Sequence, residues 1–210
     1  AIDFGNNFQA RKYFGGCGSQ TRGVFGGGDT APSTAQVDTI DYITIASTGD
    51  ASDFGNLTSD RQHVGACSSP TRGVWAGGGT PTRVKTIDYI TIASEGSTAQ
   101  GFGELTVTTM SIDGLSSNTR GLFAAGTTPT MVNTIGYITI ASTGNAVDFG
   151  DLITVNSHYA CTSNGIKGIW TGGYDGSGEG YNLIEFVTIA TTGNAQDWGD
   201  TYRNRKYHAG

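Results

Sequence analysis

The stretch "TIDYITIAS" at 39–47 returns unchanged at 86–94, as "TIGYITIAS" at 134–142 and as "LIEFVTIAT" at 183–191. A passage written four times in 210 residues is an internal repeat, and a repeat constrains the fold before any single residue does. The passage itself reads as a strand, rich in Thr and Ile and too short for a helix. It is apolar on both faces, with Ile40 and Tyr42 to one side and Ile43 and Ile45 mostly to the other. That pattern suits a sheet packed between two neighbouring sheets.

Two more markers keep phase with it. The first is "DFG" at 3–5, 53–55 and 148–150, with the variants Gly101-Phe102-Gly103 and Asp197-Trp198-Gly199. Its aromatics are spaced by 50, 48, 47 and 49 residues. The second is "TRG" at 21–23, 71–73 and 119–121, with "IKG" at 166–168. It is followed by "VFGGG", "VWAGG", "LFAAG" and "IWTGG". Each unit of about 49 residues therefore reads as four short strands, a to d, with "TRG" opening strand b, the quoted passage forming strand c and "DFG" ending strand d. No segment shows the 3.6-residue period of an amphipathic helix.

The expected fold is all-β: a β-propeller of four-stranded blades, approximately 3–52, 53–100, 101–147 and 148–196, with an overhang at 197–210 that repeats the start of a unit. One blade cannot bury both faces alone, so the blades must stack. The bulky residues of strand b (Phe25, Trp75, Phe123 and Trp170) are expected to wedge between them. Four repeats plus an overhang do not close tidily. The reading favours a window on a longer propeller over a four-bladed ring with its last strand on the rim.

The order of markers resembles kelch repeats: a Gly-Gly doublet after strand b (26–27, 77–78, 172–173), an aromatic in strand c (Tyr42, Tyr89, Tyr137, Phe186) and an aromatic near the end of strand d. The third unit departs from it with Ala124-Ala125-Gly126, and the usual strand-d Trp is mostly Phe. The wording of the repeat is similar to the kelch-like repeats of bacteriophage tail and fibre proteins, especially those of cyanobacterial phages. That resemblance implies a virion or extracellular setting and a structural or binding role. The implied partners are other virion or surface proteins and cell-surface glycan.

Composition narrows the chemistry. A net charge of −6 argues against nucleic acid as a partner. No apolar run approaches the ~20 residues that span a bilayer. Cys17, Cys67 and Cys161 are too few and too scattered for a disulfide scaffold and read as small buried residues. No Gly-x-Ser-x-Gly elbow, paired zinc-ligand spacing or sialidase box occurs, so neither catalysis nor a cofactor is expected. The "DFG" acids repeat once per unit. They are expected to accept hydrogen bonds from their own turn or to pair with Arg11, Arg61 and Arg205. "DGSGEG" at 175–180 reads as a flexible loop rather than a calcium loop. His63 and His158 occupy equivalent places in units two and four and would face each other across the axis of a closed ring.

The copies differ most between strands b and c: "GDTAPSTAQVD" at 28–38, "GTPTRVKT" at 79–86, "TTPTMVN" at 127–133 and "YDGSGEGYN" at 174–182. Variable loops on a rigid scaffold are natural carriers of recognition. Arg83, Lys85, Tyr174, Asp175, Glu179 and Tyr181 are the candidate contact residues. The leading reading is a non-catalytic binding module. The alternatives are a cellular kelch-like adhesin and a polysaccharide-degrading tail enzyme.

Overall fold

The computed structural model describes residues 2–30, 32, 34–96, 98–176 and 180–206. The candidate Glu179 lies outside them. The described residues form strands, turns and loops, with no helix.

The first sheet is β2 (Gly15–Gly18), β3 (Arg22–Gly26), β5 (Thr39–Thr44) and β6 (Ser52–Asn56). The second is β7 (Gly65–Ser68), β8 (Arg72–Ala76), β10 (Thr82–Thr91) and β11 (Gln100–Thr109), with the short β9 (Gly79–Thr80) beside β10. The third is β12 (Asp113–Ser116), β13 (Arg120–Ala124), β14 (Thr134–Thr139) and β15 (Val147–Asp151). The fourth is β16 (Ala160–Ser163), β17 (Lys167–Thr171), β18 (Tyr181–Thr188) and β19 (Gln196–Arg205). A two-residue pair, β1 (Arg11–Lys12) with β4 (Asp29–Thr30), lies apart from these. Every four-strand run is antiparallel and follows chain order, so the strands take the a, b, c and d places read from the sequence. "DFG" belongs to the sheet that precedes it, because β6 holds Asp53, Phe54 and Gly55.

The repeated residues now acquire physical roles. Strand d slips register against strand c at one equivalent place in all four sheets, between Ile40 and Asp41, Ile87 and Asp88, Ile135 and Gly136, and Ile184 and Glu185. Asp41 pairs with Asp53 and Ile40 with Gly55, which leaves Phe54 as the extra residue of a β-bulge. "DFG" is thus a bulge motif. Its Asp accepts a hydrogen bond from the Gly two residues on, at 3.2 Å for Gly55 and 2.8 Å for Gly199. The expected pairing of these acids with Arg11 and Arg61 does not occur, since both arginines pair with strand c instead.

The core is three clusters, each shared by two consecutive sheets. Val24, Ile40, Phe54 and Leu57 of the first unit meet Val64, Trp75, Ile90 and Ile92 of the second. Cys67, Val74, Ile87 and Phe102 meet Ile112, Phe123, Ile138 and Ile140. Leu122, Ile135 and Phe149 meet Tyr159, Trp170, Val187 and Ile189. The strand-b aromatics do wedge between sheets: Trp75 is fully buried, and its Nε1 donates to Gly15 O of the first sheet at 3.0 Å. The Gly of "TRG" allows a close approach, because a Cβ on Gly168 would stand 2.6 Å from the Leu115 side chain of the preceding sheet.

Polar groups tie the same joints. Arg22, Arg72 and Arg120 each donate from Nη1 to a strand-c carbonyl of the next unit (Ile92 O at 2.8 Å, Ile140 O and Ile189 O at 2.9 Å). The same guanidinium groups lie over Tyr42, Tyr89 and Tyr137 of their own sheets, 4.4–4.7 Å from the ring centroids. On β7, β12 and β16, the first strands of their sheets, Ser68, Ser116 and Ser163 donate from Oγ to Gly18 O, Ser68 O and Ser116 O at 2.6–2.7 Å.

The a–b turns of all four sheets border one cavity of about 320 Å³, with Ser19, Ser69, Ser117 and Asn164 in its lining. No sheet closes on itself, and no hydrogen bond among the described residues joins the fourth sheet to the first. The first sheet instead docks on residues 4–6: Gly49 N donates to Phe4 O (2.7 Å) and Ala51 N to Asn6 O (2.8 Å). Gly96 N and Ala99 N make the equivalent bonds to Phe54 O and Asn56 O.

Candidate functional site

Strand order decides which loops share an end. With a, b, c and d antiparallel, the d–a crossovers and the b–c loops emerge at one end of the sheets, and the a–b and c–d turns at the other. The variable b–c loops therefore share one end with the d–a crossovers.

On this face stand Tyr13, His63, Ser111 and His158, one from each unit. All four have a left-handed backbone (φ 60°, 56°, 58° and 56°), a conformation that costs a non-glycine residue about 1–2 kcal/mol. Hydrogen bonds across the units hold it: His63 N donates to Tyr13 O at 2.8 Å and Ser111 N to His63 O at 3.0 Å. The result is an aromatic cluster. Tyr13 stacks on His63 with centroids 3.9 Å apart, His63 meets His158 edge-on at 5.7 Å, and His158 meets Tyr174 at 6.4 Å. Lys12 Nζ lies 5.1 Å from the Tyr13 ring centroid and Lys206 Nζ 5.7 Å from that of Tyr174. The expected approach of the two histidines is therefore present. Burial first, and the nearby Lys12 second, pull the His63 pKa below its ordinary value. Burial and the neighbouring His63 pull His158 down to about 4, so this imidazole is neutral at pH 7. The described residues contain no cluster of three His, Cys, Asp or Glu arranged to hold a metal.

The candidate contact residues fall into two groups. Arg83 and Lys85 lie on the loop-side extension of β10, where Arg83 pairs with Gly79 and Lys85 forms a half-exposed ion pair with Glu104 at 2.7 Å. Tyr174, Asp175 and Tyr181 belong to the fourth unit. Tyr174 bridges to Ser157 and Gly180 and donates from its hydroxyl to Gly176 O at 3.2 Å, while Tyr181 pairs with Arg205. The His63–His158 contact lies between their units. Tyr13 and Lys12, outside the candidate set, belong to the same face. A count of ten residues from each "DFG" Asp already marks Tyr13, His63, Ser111 and His158 as equivalent.

A buried clasp fixes the crossovers beneath this face. Arg61 Nη1 donates to Gly77 O (3.0 Å) and Thr86 O (2.9 Å), and Nη2 to Asp88 Oδ2 (2.6 Å). Asp88 also accepts from Thr58 N at 3.1 Å. Arg11 repeats this with Gly27 O, Thr39 O and the Asp41 carboxylate. Both pairs are almost wholly buried. At the equivalent places the third unit has Thr109 and Gly136, and the fourth has Asn156 and Glu185. Glu185 still accepts the crossover amide, Ile153 N, at 2.6 Å. Burial, above all, pushes its pKa up to about 7. Burial likewise raises Asp113, on the first strand of the third sheet, to about 7.

No protein-family model and no curated protein matches the chain.

Proposed function

We propose that the chain is a β-propeller of four-stranded kelch-like blades that acts as a non-catalytic binding module of a larger surface assembly, in the manner of a phage tail or fibre protein. Its partner is a host-surface glycan or another virion protein. One observation carries this reading: the repeat holds through the strands, bulges and inter-sheet bonds and breaks mainly in the b–c loops, which share one end with the strained axial residues. A rigid scaffold that varies only at one end suits recognition. The aromatic surface of Tyr13, His63 and Tyr174 suits stacking against sugar rings, and the flanking Lys12, Arg83 and Lys85 suit acidic substituents.

The test is binding of the intact chain to a panel of purified bacterial capsular polysaccharides and lipopolysaccharides, measured by calorimetry. Paired Arg83→Ala/Lys85→Ala and Tyr174→Ala/Tyr181→Ala variants are expected to weaken any hit by about tenfold or more, ~1.4 kcal/mol, with unchanged melting. Variants that bind like the parent would overturn the assignment of this face. Release of shortened saccharides would replace the binder with the polysaccharide-degrading alternative.

A further inference from the structure

The clasp position is a fourfold comparison made within one molecule. In units one and two, a buried guanidinium is held by two main-chain oxygens and a strand-c carboxylate. In unit three the cation and the anion are both lost, with Thr109 and Gly136 at those places, so the charges still balance. In unit four only the cation is lost. Glu185 is 1% exposed, and Asn156, at the arginine's place, is fully buried.

Nothing in the described protein compensates that carboxylate. Its hydrogen-bond donor is Ile153 N, and the residue paired with it on the neighbouring strand is another acid, Asp197. An isolated buried carboxylate is costly unless a proton or a cation joins it. The surroundings are rich in oxygen. Gly172 and Leu183 supply the main-chain carbonyls equivalent to the two that receive the guanidinium of Arg61: Gly172 N donates to Leu183 O at 3.1 Å just as Gly77 N donates to Thr86 O at 3.0 Å. Asn156 Nδ2 donates to Gly172 O (3.3 Å) and Thr154 Oγ1 (3.1 Å), and the buried Asn156 Oδ1 has no hydrogen-bond donor. One carboxylate among neutral oxygens is the ligand chemistry of a hard cation.

We propose that the fourth unit binds a hard, oxygen-liganded cation of the calcium, sodium or potassium class in the place that the arginine guanidinium takes in units one and two. Glu185 supplies the charge. Gly172 O, Leu183 O and the Asn156 side-chain oxygen supply neutral ligands. The ion does for the crossover at 153–156 what Arg61 does for the crossover at 58–61.

The experiment is thermal melting of the whole chain above neutral pH, in tetramethylammonium chloride, with calcium, sodium or potassium chloride added at constant ionic strength. At least one of these cations is expected to raise Tm by several degrees and to saturate. Glu185→Gln should abolish the rise. To separate loss of the ligand from loss of the fold, a second variant, Asn156→Arg/Glu185→Asp, rebuilds the clasp of unit two. It should melt in tetramethylammonium as high as the parent does with its cation, and should no longer respond. Terbium is an independent probe: its luminescence, sensitised by the adjoining Tyr159, should appear with the parent and be lost in both variants. A parent indifferent to all three cations, or a response that persists in Asn156→Arg/Glu185→Asp, would overturn the proposal and leave a proton on Glu185.

Discussion

The second and fourth sheets carry equivalent residues in equivalent register, yet those residues are differently engaged. In the second, Arg61 is paired with Asp88, Arg72 reaches Ile140 O of the third unit, Trp75 Nε1 has its acceptor and Phe102 is 3% exposed. In the fourth, Asn156 takes the arginine's place, Lys167 lies over Phe186 rather than reaching another sheet, Trp170 Nε1 has no partner among the described residues and Trp198 is 55% exposed. The lesson is that a repeat residue has no fixed worth. Its contribution belongs to the joint between two sheets, as expected where stability is a sum over nearest neighbours.

The comparison can be broken by matched substitutions read from denaturant midpoints. The largest effect is expected at the clasp. Arg61→Met strands the Asp88 carboxylate and should cost about 3–5 kcal/mol, whereas Asn156→Ala, which loses neutral hydrogen bonds, should cost about 1–2 kcal/mol. Equal losses would mean that the guanidinium is not what holds the crossover. Next comes the aromatic wedge: Trp75→Ala should cost about 3–5 kcal/mol and the half-exposed Trp198→Ala less than about 1 kcal/mol. A costly Trp198→Ala would show that this flank is covered in solution. Smaller again is the inter-sheet staple. Arg72→Ala should lose about 1–2 kcal/mol, and Lys167→Ala about half a kcal/mol.

The smallest contrast is one of pH. Folding holds His158 neutral down to about pH 4, while the unfolded chain takes up that proton near its ordinary value of 6.5. The unfolded state thus binds more protons in this window, and stability must fall as pH drops from 6.5 towards 4. Tm against pH should decline more steeply for the parent than for His158→Gln. Parallel curves would show that His158 is open to water.

Much of this order was legible because each marker performs one local task. The "TRG" arginine and the strand-c tyrosine form a single cation–π unit, "DFG" forms a bulge, and the strand-b aromatic fills a joint, so all three recur in phase. The approach of His63 and His158 followed from counting within the repeat. The clasp was missed because its partners are 27 residues apart in sequence and meet only when the crossover packs beneath its own sheet. The "DFG" Asp is nearer to the arginines in sequence, but it accepts from the amide of its own bulge. A comparison of copies would have found it, since Arg11 with Asp41 and Arg61 with Asp88 give way together to Thr109 with Gly136. The proposed contact face was legible only as variation: nothing in "GTPTRVKT" announces that Lys85 meets Glu104 across the strands.

The proposed propeller depends on four sheets that turn about a common axis. In a straight stack, sheets two and four would stand about 20 Å apart. Here the His63 and His158 rings are 5.7 Å apart, centroid to centroid. The most direct measurement is a nuclear Overhauser spectrum of the chain labelled only at histidine. The account predicts a cross-peak between the His63 and His158 ring protons that vanishes in His158→Gln. Two assigned histidines with no cross-peak between them would contradict it.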